Sequence, residues 1–207
     1  MKRFLVSLVL LCAFLVPMSA ASEWTAVAAK VRKSIVYLTG PSGSCTAWVS
    51  DQKKDYVITA AHCDQAKDSI LIDGLPAKVV AKDIKKDLMA LEVKGLDKPA
   101  LHLAKDNPKI GDEIASYGFG MALERPFFRI AHVSDDGLFI PYDGIGGPFI
   151  LTDANFIGGQ SGCPAFDLSG NVVMIVQMGS NQGFGLGVGA ETIKDKMGRF
   201  FEQVAKP

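Results

Sequence analysis

Residues 56–63 read YVITAAHC, a run of aromatic and β-branched residues that ends in a histidine. Such residues favour strands, and similar short runs recur on both sides of this one, separated by turn residues such as Asp73-Gly74. Many short strands at this spacing predict an all-β sandwich or barrel, not alternating strands and helices. The predicted strands cover residues 35–38, 46–49, 56–59, 69–72, 77–80, 88–93, 113–117, 127–131, 149–152, 172–176 and 184–188.

Two stretches have the apolar spacing of helices. Residues 23–33 predict a short N-terminal helix, and residues 191–205 predict an amphipathic helix that packs one face on the body of the protein. The apolar positions are Trp24, Val27, Ala28 and Val31 in the first stretch and Ile193, Met197, Phe200, Phe201 and Val204 in the second. The predicted strands between them fall into two groups with a seam near residues 99–111.

The first 21 residues, MKRFLVSLVLLCAFLVPMSAA, have the layout of a secretory signal peptide. Two basic residues precede an apolar run at 4–16 that is too short to span a bilayer comfortably. We therefore expect cleavage after Ala20 or Ala21 in preference to an uncleaved membrane anchor, and no membrane association of the mature protein. Export predicts a periplasmic or extracellular location, where disulfides persist.

The charge of the chain is balanced. Its 207 residues carry 22 basic and 22 acidic side chains, and removal of residues 1–21 leaves 20 basic against 22 acidic, a net charge of −2. This balance, with 21% charged residues, argues against a nucleic-acid-binding surface and against disorder. We expect no nucleic-acid partner.

Three local sequences carry residues of known catalytic types, in the order His, Asp, Ser. His62 ends the run quoted above, Asp87 begins the strand in KKDLMAL at 85–91, and Ser161 lies in GGQSGCP at 158–164. A serine hydroxyl becomes a nucleophile when a base takes its proton, and a carboxylate can orient an imidazole for that task. Neighbouring glycines permit backbone N–H groups to converge on one point.

These motifs resemble the chymotrypsin-fold, trypsin-like serine proteases, and most closely the bacterial HtrA/Deg-type protease domain. TAAHC at 59–63 resembles the histidine motif, DLMALEV at 87–93 with VVAKD at 79–83 resembles the aspartate motif, and TDAN at 152–155 leads into the serine motif. Residues 111–118, GDEIASYG, resemble the opening of the second barrel. The resemblance covers about residues 34–190.

The resemblance implies a double-barrel fold and a catalytic triad. The fold would be all-β, two six-stranded antiparallel β-barrels, with an N-terminal barrel at 22–108, a C-terminal barrel at 109–190 and a helix at 191–207. His62 would be the general base, Asp87 its orienting carboxylate, with Asp83 the runner-up, and Ser161 the nucleophile. Further implied roles are an oxyanion hole from the N–H groups of Gly159 and Ser161, a disulfide between Cys45 and Cys63, and a substrate pocket from Asn155, Phe156, Gln177, Met178 and Gly179.

Two residues beside the serine depart from the family pattern. Gln160 stands where trypsin-type enzymes have aspartate, so activation by a new N-terminal ammonium ion is not expected. Cys163 stands where a second glycine is usual, and Pro164 after it argues against Cys163 as the nucleophile, leaving a free buried thiol.

Phe156 should shrink the pocket, and with no acidic residue at its base we expect cleavage after small to medium apolar residues and not after Arg or Lys.

These observations predict an exported serine endopeptidase acting on protein or peptide substrates, with no metal and no cofactor. With 46 residues after Ser161 we expect no PDZ domain, and the oligomeric state is not predicted. The departures at Gln160 and Cys163 keep open an alternative, a protease fold without turnover that binds peptides or proteins. An esterase or acyl transferase using the same triad is a third, weaker alternative.

Overall fold

A computed structural model describes residues 23–41, 43–64, 69–140 and 144–202, and the predicted signal peptide at 1–21 lies outside these residues. The elements, in chain order, are α1 (Glu23–Val31), β1 (Ile35–Gly40), β2 (Gly43–Asp51), β3 (Tyr56–Thr59), β4 (Leu71–Ile72), β5 (Leu75–Pro76), β6 (Lys78–Asp83), β7 (Leu88–Glu92), β8 (Glu113–Gly118), β9 (Phe127–Leu138), β10 (Phe149–Thr152), β11 (Pro164–Phe166), β12 (Val172–Gly179), β13 (Gly185–Gly189) and α2 (Ala190–Met197). Short 3-10 helices lie at Arg32–Ser34, Ala61–Cys63 and Gly198–Phe200.

The strands form two antiparallel units that follow each other along the chain. The N-terminal unit is a seven-stranded sheet with the order β5-β4-β1-β2-β3-β7-β6, and the C-terminal unit is a closed barrel with the order β10-β13-β12-β11-β8-β9. The predicted chymotrypsin-like architecture, all-β with a helix near each end, is confirmed. The closed barrel has the six strands that the resemblance implied.

The N-terminal unit differs from the predicted six-stranded barrel. Its seventh strand arises because residues 69–76 form a hairpin of two-residue strands, β4 and β5, joined at Asp73 and Gly74, which have φ of 47° and 82°. Two consecutive residues with positive φ make a tight hairpin turn. Strands this short add an edge to the sheet without closing it, so the unit is a half-barrel.

The β3 strand is an interior strand of the half-barrel and lies between β2 and β7. Ile58 pairs with Trp48 on one side and with Ala90 on the other, and all three are fully buried. Because neither face of β3 meets water, its sequence is a continuous apolar run. The end of β3, where His62 follows, is therefore held rigidly.

The helices attach to both units. Trp24 of α1 packs on Phe128 of β9 at a ring-centroid distance of 6.1 Å, while α2 contacts both β7 and β12. The tail after α2 covers the half-barrel, where Phe201 lies 5.5 Å from Trp48 and the Ser50 hydroxyl donates to the Phe200 carbonyl at 2.7 Å. Within the described ranges, no helix is long and apolar enough to cross a membrane.

Candidate active site

His62 and Asp87 meet because they follow and precede two paired strands. Thr59 at the end of β3 pairs with Met89 of β7, so the 3-10 helix that carries His62 lies beside the turn that carries Asp87. The backbone N–H of Ala61 donates to the Asp87 carbonyl at 3.1 Å and joins the two segments.

The carboxylate of Asp87 contacts His62 at two points. Its Oδ1 accepts the backbone N–H of His62 at 2.8 Å, and its Oδ2 lies 2.7 Å from the imidazole Nδ1. The carboxylate is 2% exposed and the imidazole 38% exposed. A buried anion on Nδ1 fixes the ring and its tautomer, which leaves Nε2 as the proton acceptor.

The backbone of Asp87 is held from the other barrel. Asp87 has φ of 51°, a left-handed conformation that is uncommon without a glycine. Nε2 of Gln177, on β12, donates to the carbonyls of Lys86 at 2.6 Å and Asp87 at 3.2 Å. Gln177, which the sequence assigned to the substrate pocket, is buried and directs its amide to this turn.

Lys86 adds a second link between the barrels, which the sequence offered no signal to predict. Its ammonium donates to the carbonyls of Gly146 at 3.0 Å and Gly147 at 2.7 Å. The N–H of Gly146 in turn donates to the Lys85 carbonyl at 2.8 Å. The segment before β10 therefore supports the turn on which Asp87 lies.

Ser161 lies in the turn before β11, next to the His62 helix. Its carbonyl accepts the N–H of Thr46 at 2.9 Å and lies 3.9 Å from Sγ of Cys63, the neighbour of His62. Its hydroxyl donates to the carbonyl of Gln177 at 3.4 Å. The serine thus lies where the two barrels touch.

Two glycines shape the backbone around Ser161. Gly159 and Gly162 have φ of 95° and 80°, which glycine adopts at little cost. Among the residues that the structure describes, neither the Gly159 N–H nor the Ser161 N–H donates a backbone hydrogen bond. These are the two groups that the sequence assigned to the oxyanion hole.

Gln160 makes two hydrogen bonds within its own loop. Its side-chain Oε1 accepts the N–H of Ile157 at 3.0 Å, and its own N–H donates to the Ile157 carbonyl at 3.0 Å. The side chain is fully buried. This reciprocal pair orders the loop with an uncharged residue.

Cys163 is the free cysteine of the described residues and is fully buried. Burial raises the pKa of the thiol far above its ordinary range. A neutral, inaccessible thiol is a poor nucleophile. The side chain instead fills the space above Gly118, where an added β-carbon would come 2.6 Å from its Sγ.

Cys45 and Cys63 form a disulfide that ties β2 to the His62 helix, with their Cα atoms 6.1 Å apart. Within the described ranges, Cys45, His62 and Cys63 are the one group of three potential metal ligands with ligand atoms within 4.8 Å of one another. Because the two sulfurs are bonded to each other, they are not thiolate ligands. The disulfide instead fixes the position of the segment that carries His62.

Phe156 occupies the space between two glycine-bearing strands. A β-carbon on Gly179 would overlap the Phe156 backbone, and one on Gly185 would overlap its ring. Met178 pairs with Leu186 across these strands and is half-buried. The Oδ1 of Asn155 is buried without a hydrogen-bond partner among the described residues.

A second His–Asp pair, not anticipated from the sequence, lies on the surface of the C-terminal barrel. Asp153 accepts the His132 N–H at 2.7 Å and lies 3.1 Å from its Nδ1. Burial acts to raise the pKa of Asp153, but the hydrogen bonds from His132 outweigh it and the pKa lies below its ordinary value. The two side chains are 52% and 56% exposed, in contrast to the buried Asp87.

Comparisons with known proteins find similarity in both sequence and fold. The family described as "Trypsin-like peptidase domain" matches residues 43–175. A protein of Hahella chejuensis named "Probable periplasmic serine endoprotease DegP-like" is 33% identical over 129 residues, which cover 59% of this chain and 27% of the relative. A protein of the same name from Pseudomonas savastanoi is 31% identical over 126 residues. The match thus spans about a quarter of the length of these relatives.

Solved structures share the fold. The active form of the Rv3671c protease from M. tuberculosis has a TM-score of 0.74 and 22% identity, covering 87% of this chain and 86% of that one. The HtrA-type protease AlgW with tripeptide has a TM-score of 0.76 and 21% identity, covering 86% of this chain and 64% of that one. The double-barrel architecture therefore extends beyond the segment matched by sequence.

Proposed function

Since the chain belongs to the trypsin-like peptidase domain family, we propose that it is an exported serine endopeptidase that uses His62, Asp87 and Ser161. The observation that carries the proposal is the two-point contact of the buried Asp87 carboxylate with His62. Such a contact orients a base and stabilises the cation that it becomes. The periplasmic assignment in the names of the relatives supports export.

The proposed reaction uses these three side chains in turn. Nε2 of His62 takes the hydroxyl proton of Ser161 as Oγ bonds to the scissile carbonyl carbon, and the N–H groups of Gly159 and Ser161 bind the resulting oxyanion. His62 then gives its proton to the leaving amine, and the C–N bond breaks to leave an acyl-enzyme. Water, deprotonated by His62, hydrolyses the acyl-enzyme and restores Ser161.

The loop around Ser161 supports activity without a processing cleavage. The reciprocal hydrogen bonds between Gln160 and Ile157 order the loop from within. No incoming charged group is needed to pair with an uncharged glutamine. We therefore expect the mature protein to be active once its signal peptide has been removed.

The test is labelling by a fluorophosphonate probe, which reacts with activated serines. We expect the mature, folded protein to form one adduct, mapped by peptide mass spectrometry to Ser161. Casein hydrolysis should fall in proportion to labelling, and heat-denatured protein should not react. A well-folded protein that neither reacts with the probe nor cleaves casein contradicts the proposal and favours the peptide-binding alternative. A protein that reacts with the probe and hydrolyses esters, but not peptides, favours an esterase.

Phe156 controls the pocket in this proposal, which leads to a prediction about specificity. Phe156→Ala should raise kcat/KM about tenfold for substrates with Leu, Met or Phe before the cleaved bond relative to those with Ala or Val, because the ring fills the space against Gly185. The variant should be less stable by about 3 kcal/mol, the ordinary cost of a buried Phe→Ala change. A peptide-library profile measures the shift.

Phe139→Ala is the control for this variant, because Phe139 is 73% exposed and lies outside the proposed pocket. It should leave both profile and stability unchanged. An unaltered profile in Phe156→Ala, or a wild-type profile dominated by Arg and Lys, contradicts the assignment of Phe156.

A further inference from the structure

Thr46, on β2 of the half-barrel, lies against the loop that carries Ser161. It is fully buried. Its N–H donates to the Ser161 carbonyl at 2.9 Å, and its hydroxyl donates to the Gly159 carbonyl at 3.0 Å. The hydroxyl also accepts the N–H of Phe119 at 2.9 Å, so one side chain joins β2, the loop and the end of β8.

The carbonyl contacts fix which way the loop's peptide planes face. In a trans peptide the carbonyl and the next N–H point in opposite directions. The carbonyls of Gly158 and Gln160 accept the N–H groups of Met121 at 2.8 Å and Cys163 at 2.9 Å. The N–H groups on those same two peptides, belonging to Gly159 and Ser161, therefore point away from these two hydrogen bonds.

Gly159 is the residue at which the orientation of these peptides is least restrained by its own conformation. It has φ of 95° and no side chain to pack, so its flanking peptides can rotate at low cost. Of the two carbonyls near the Thr46 hydroxyl, that of Gly159 at 3.0 Å is closer than that of Phe119 at 3.4 Å. The hydroxyl thus bonds to the carbonyl of the Gly159–Gln160 peptide, which joins the two peptides that carry the Gly159 and Ser161 N–H groups.

We propose that Thr46 is a positioning residue for the oxyanion hole: its hydroxyl, supplied by the N-terminal half-barrel, holds the Gly159–Gln160 peptide that lies between the two donor peptides, so that the Gly159 and Ser161 N–H groups converge. The inference rests on the proposed function and deepens it. It makes transition-state stabilisation in one barrel depend on a side chain of the other. Ground-state substrate binding, which does not use the oxyanion, is left unaffected.

The test removes the hydroxyl while keeping the shape. Thr46→Val replaces the hydroxyl by a methyl group, Thr46→Ser retains it, and Ser50→Ala removes another buried hydroxyl of β2 that donates to a carbonyl at 2.7 Å in the C-terminal tail. Each protein is assayed for kcat and KM. Each is also assayed with a peptide aldehyde, whose adduct with a catalytic serine carries an oxyanion, and with the matching peptide alcohol, which forms no adduct.

Thr46→Val should lower kcat and aldehyde affinity by about 10- to 100-fold, somewhat less than the loss of a whole oxyanion donor. Its KM and alcohol affinity should stay within about threefold of wild type. Thr46→Ser should retain most of the kcat and aldehyde affinity that Thr46→Val loses. Ser50→Ala should leave kcat, KM and the affinities for the aldehyde and the alcohol unchanged.

Two results overturn the inference. One is a Thr46→Val protein whose kcat and aldehyde-to-alcohol affinity ratio stay within about threefold of wild type. The other is failure of Thr46→Val and Thr46→Ala to fold, judged by circular dichroism, while Ser50→Ala folds, because the hydroxyl then serves the scaffold. A wild-type protein that does not prefer the aldehyde contradicts the proposed function itself, which separates the two failures.

Discussion

Ser161→Ala is expected to lower kcat for peptide hydrolysis by about 10⁶-fold, the size of effect seen when a serine nucleophile is removed from a triad. Without Oγ no acyl-enzyme forms, and His62 has no hydroxyl to activate. The fold should be unaffected, because among the described residues this hydroxyl makes a single hydrogen bond, the 3.4 Å contact with the Gln177 carbonyl. Initial rates with a chromogenic peptide and thermal unfolding measure both effects.

Ser169→Ala provides the matched control, since Ser169 is an exposed turn residue on the C-terminal barrel. It should retain full activity and full labelling by the fluorophosphonate. If Ser161→Ala keeps more than about one hundredth of the wild-type kcat, Ser161 is not the nucleophile, because background catalysis from binding and the oxyanion hole is far smaller than this.

Asp87→Asn is expected to lower kcat by about 10⁴-fold while leaving the fold intact. Asparagine has the volume of aspartate, and its amide oxygen can still accept the His62 N–H that now bonds Oδ1 at 2.8 Å. Its NH₂ group, however, would face Nδ1, so the imidazole would carry its proton on Nε2 and could not take one from Ser161. The neutral amide would also not stabilise the imidazolium.

The exposed His132–Asp153 pair on the C-terminal barrel provides the comparison. Asp153→Asn makes the same chemical change at a carboxylate with the same two contacts to a histidine. It should leave kcat within about twofold of wild type, since exposed charge pairs contribute little. Equal losses in the two variants, or an Asp87→Asn protein with near-normal kcat, would mean that Asp87 does not orient a catalytic base.

The sequence predicted those parts of the site that are local in the chain. The strand before His62, the turn before Asp87 and the glycines around Ser161 each occupy a few consecutive residues, whose hydrophobic pattern and turn chemistry can be read directly. Strand β11 was not predicted, because it has three residues and begins at Pro164, where a turn is the ordinary expectation.

The links between the barrels could not be predicted. The amide of Gln177 bonds to the Lys86 carbonyl across 91 residues, and the Thr46 hydroxyl bonds to the Gly159 carbonyl across 113. No periodicity connects such distant positions, and a buried glutamine or threonine has no motif of its own. Gln177 was assigned to the pocket because residues 177–179 resemble the family strand that holds the substrate backbone, and this resemblance does not say where its side-chain amide points.

The tail after α2 has a consequence for the order in which the protein folds. Glu202 donates its N–H to the Ser50 carbonyl, and Phe200 packs on Tyr56 at a centroid distance of 5.2 Å. The half-barrel, which is synthesised first, therefore keeps part of its apolar surface open to water until residues 200–202 have also been made. Non-local contacts of this kind slow folding and leave strands exposed to aggregation in the interval.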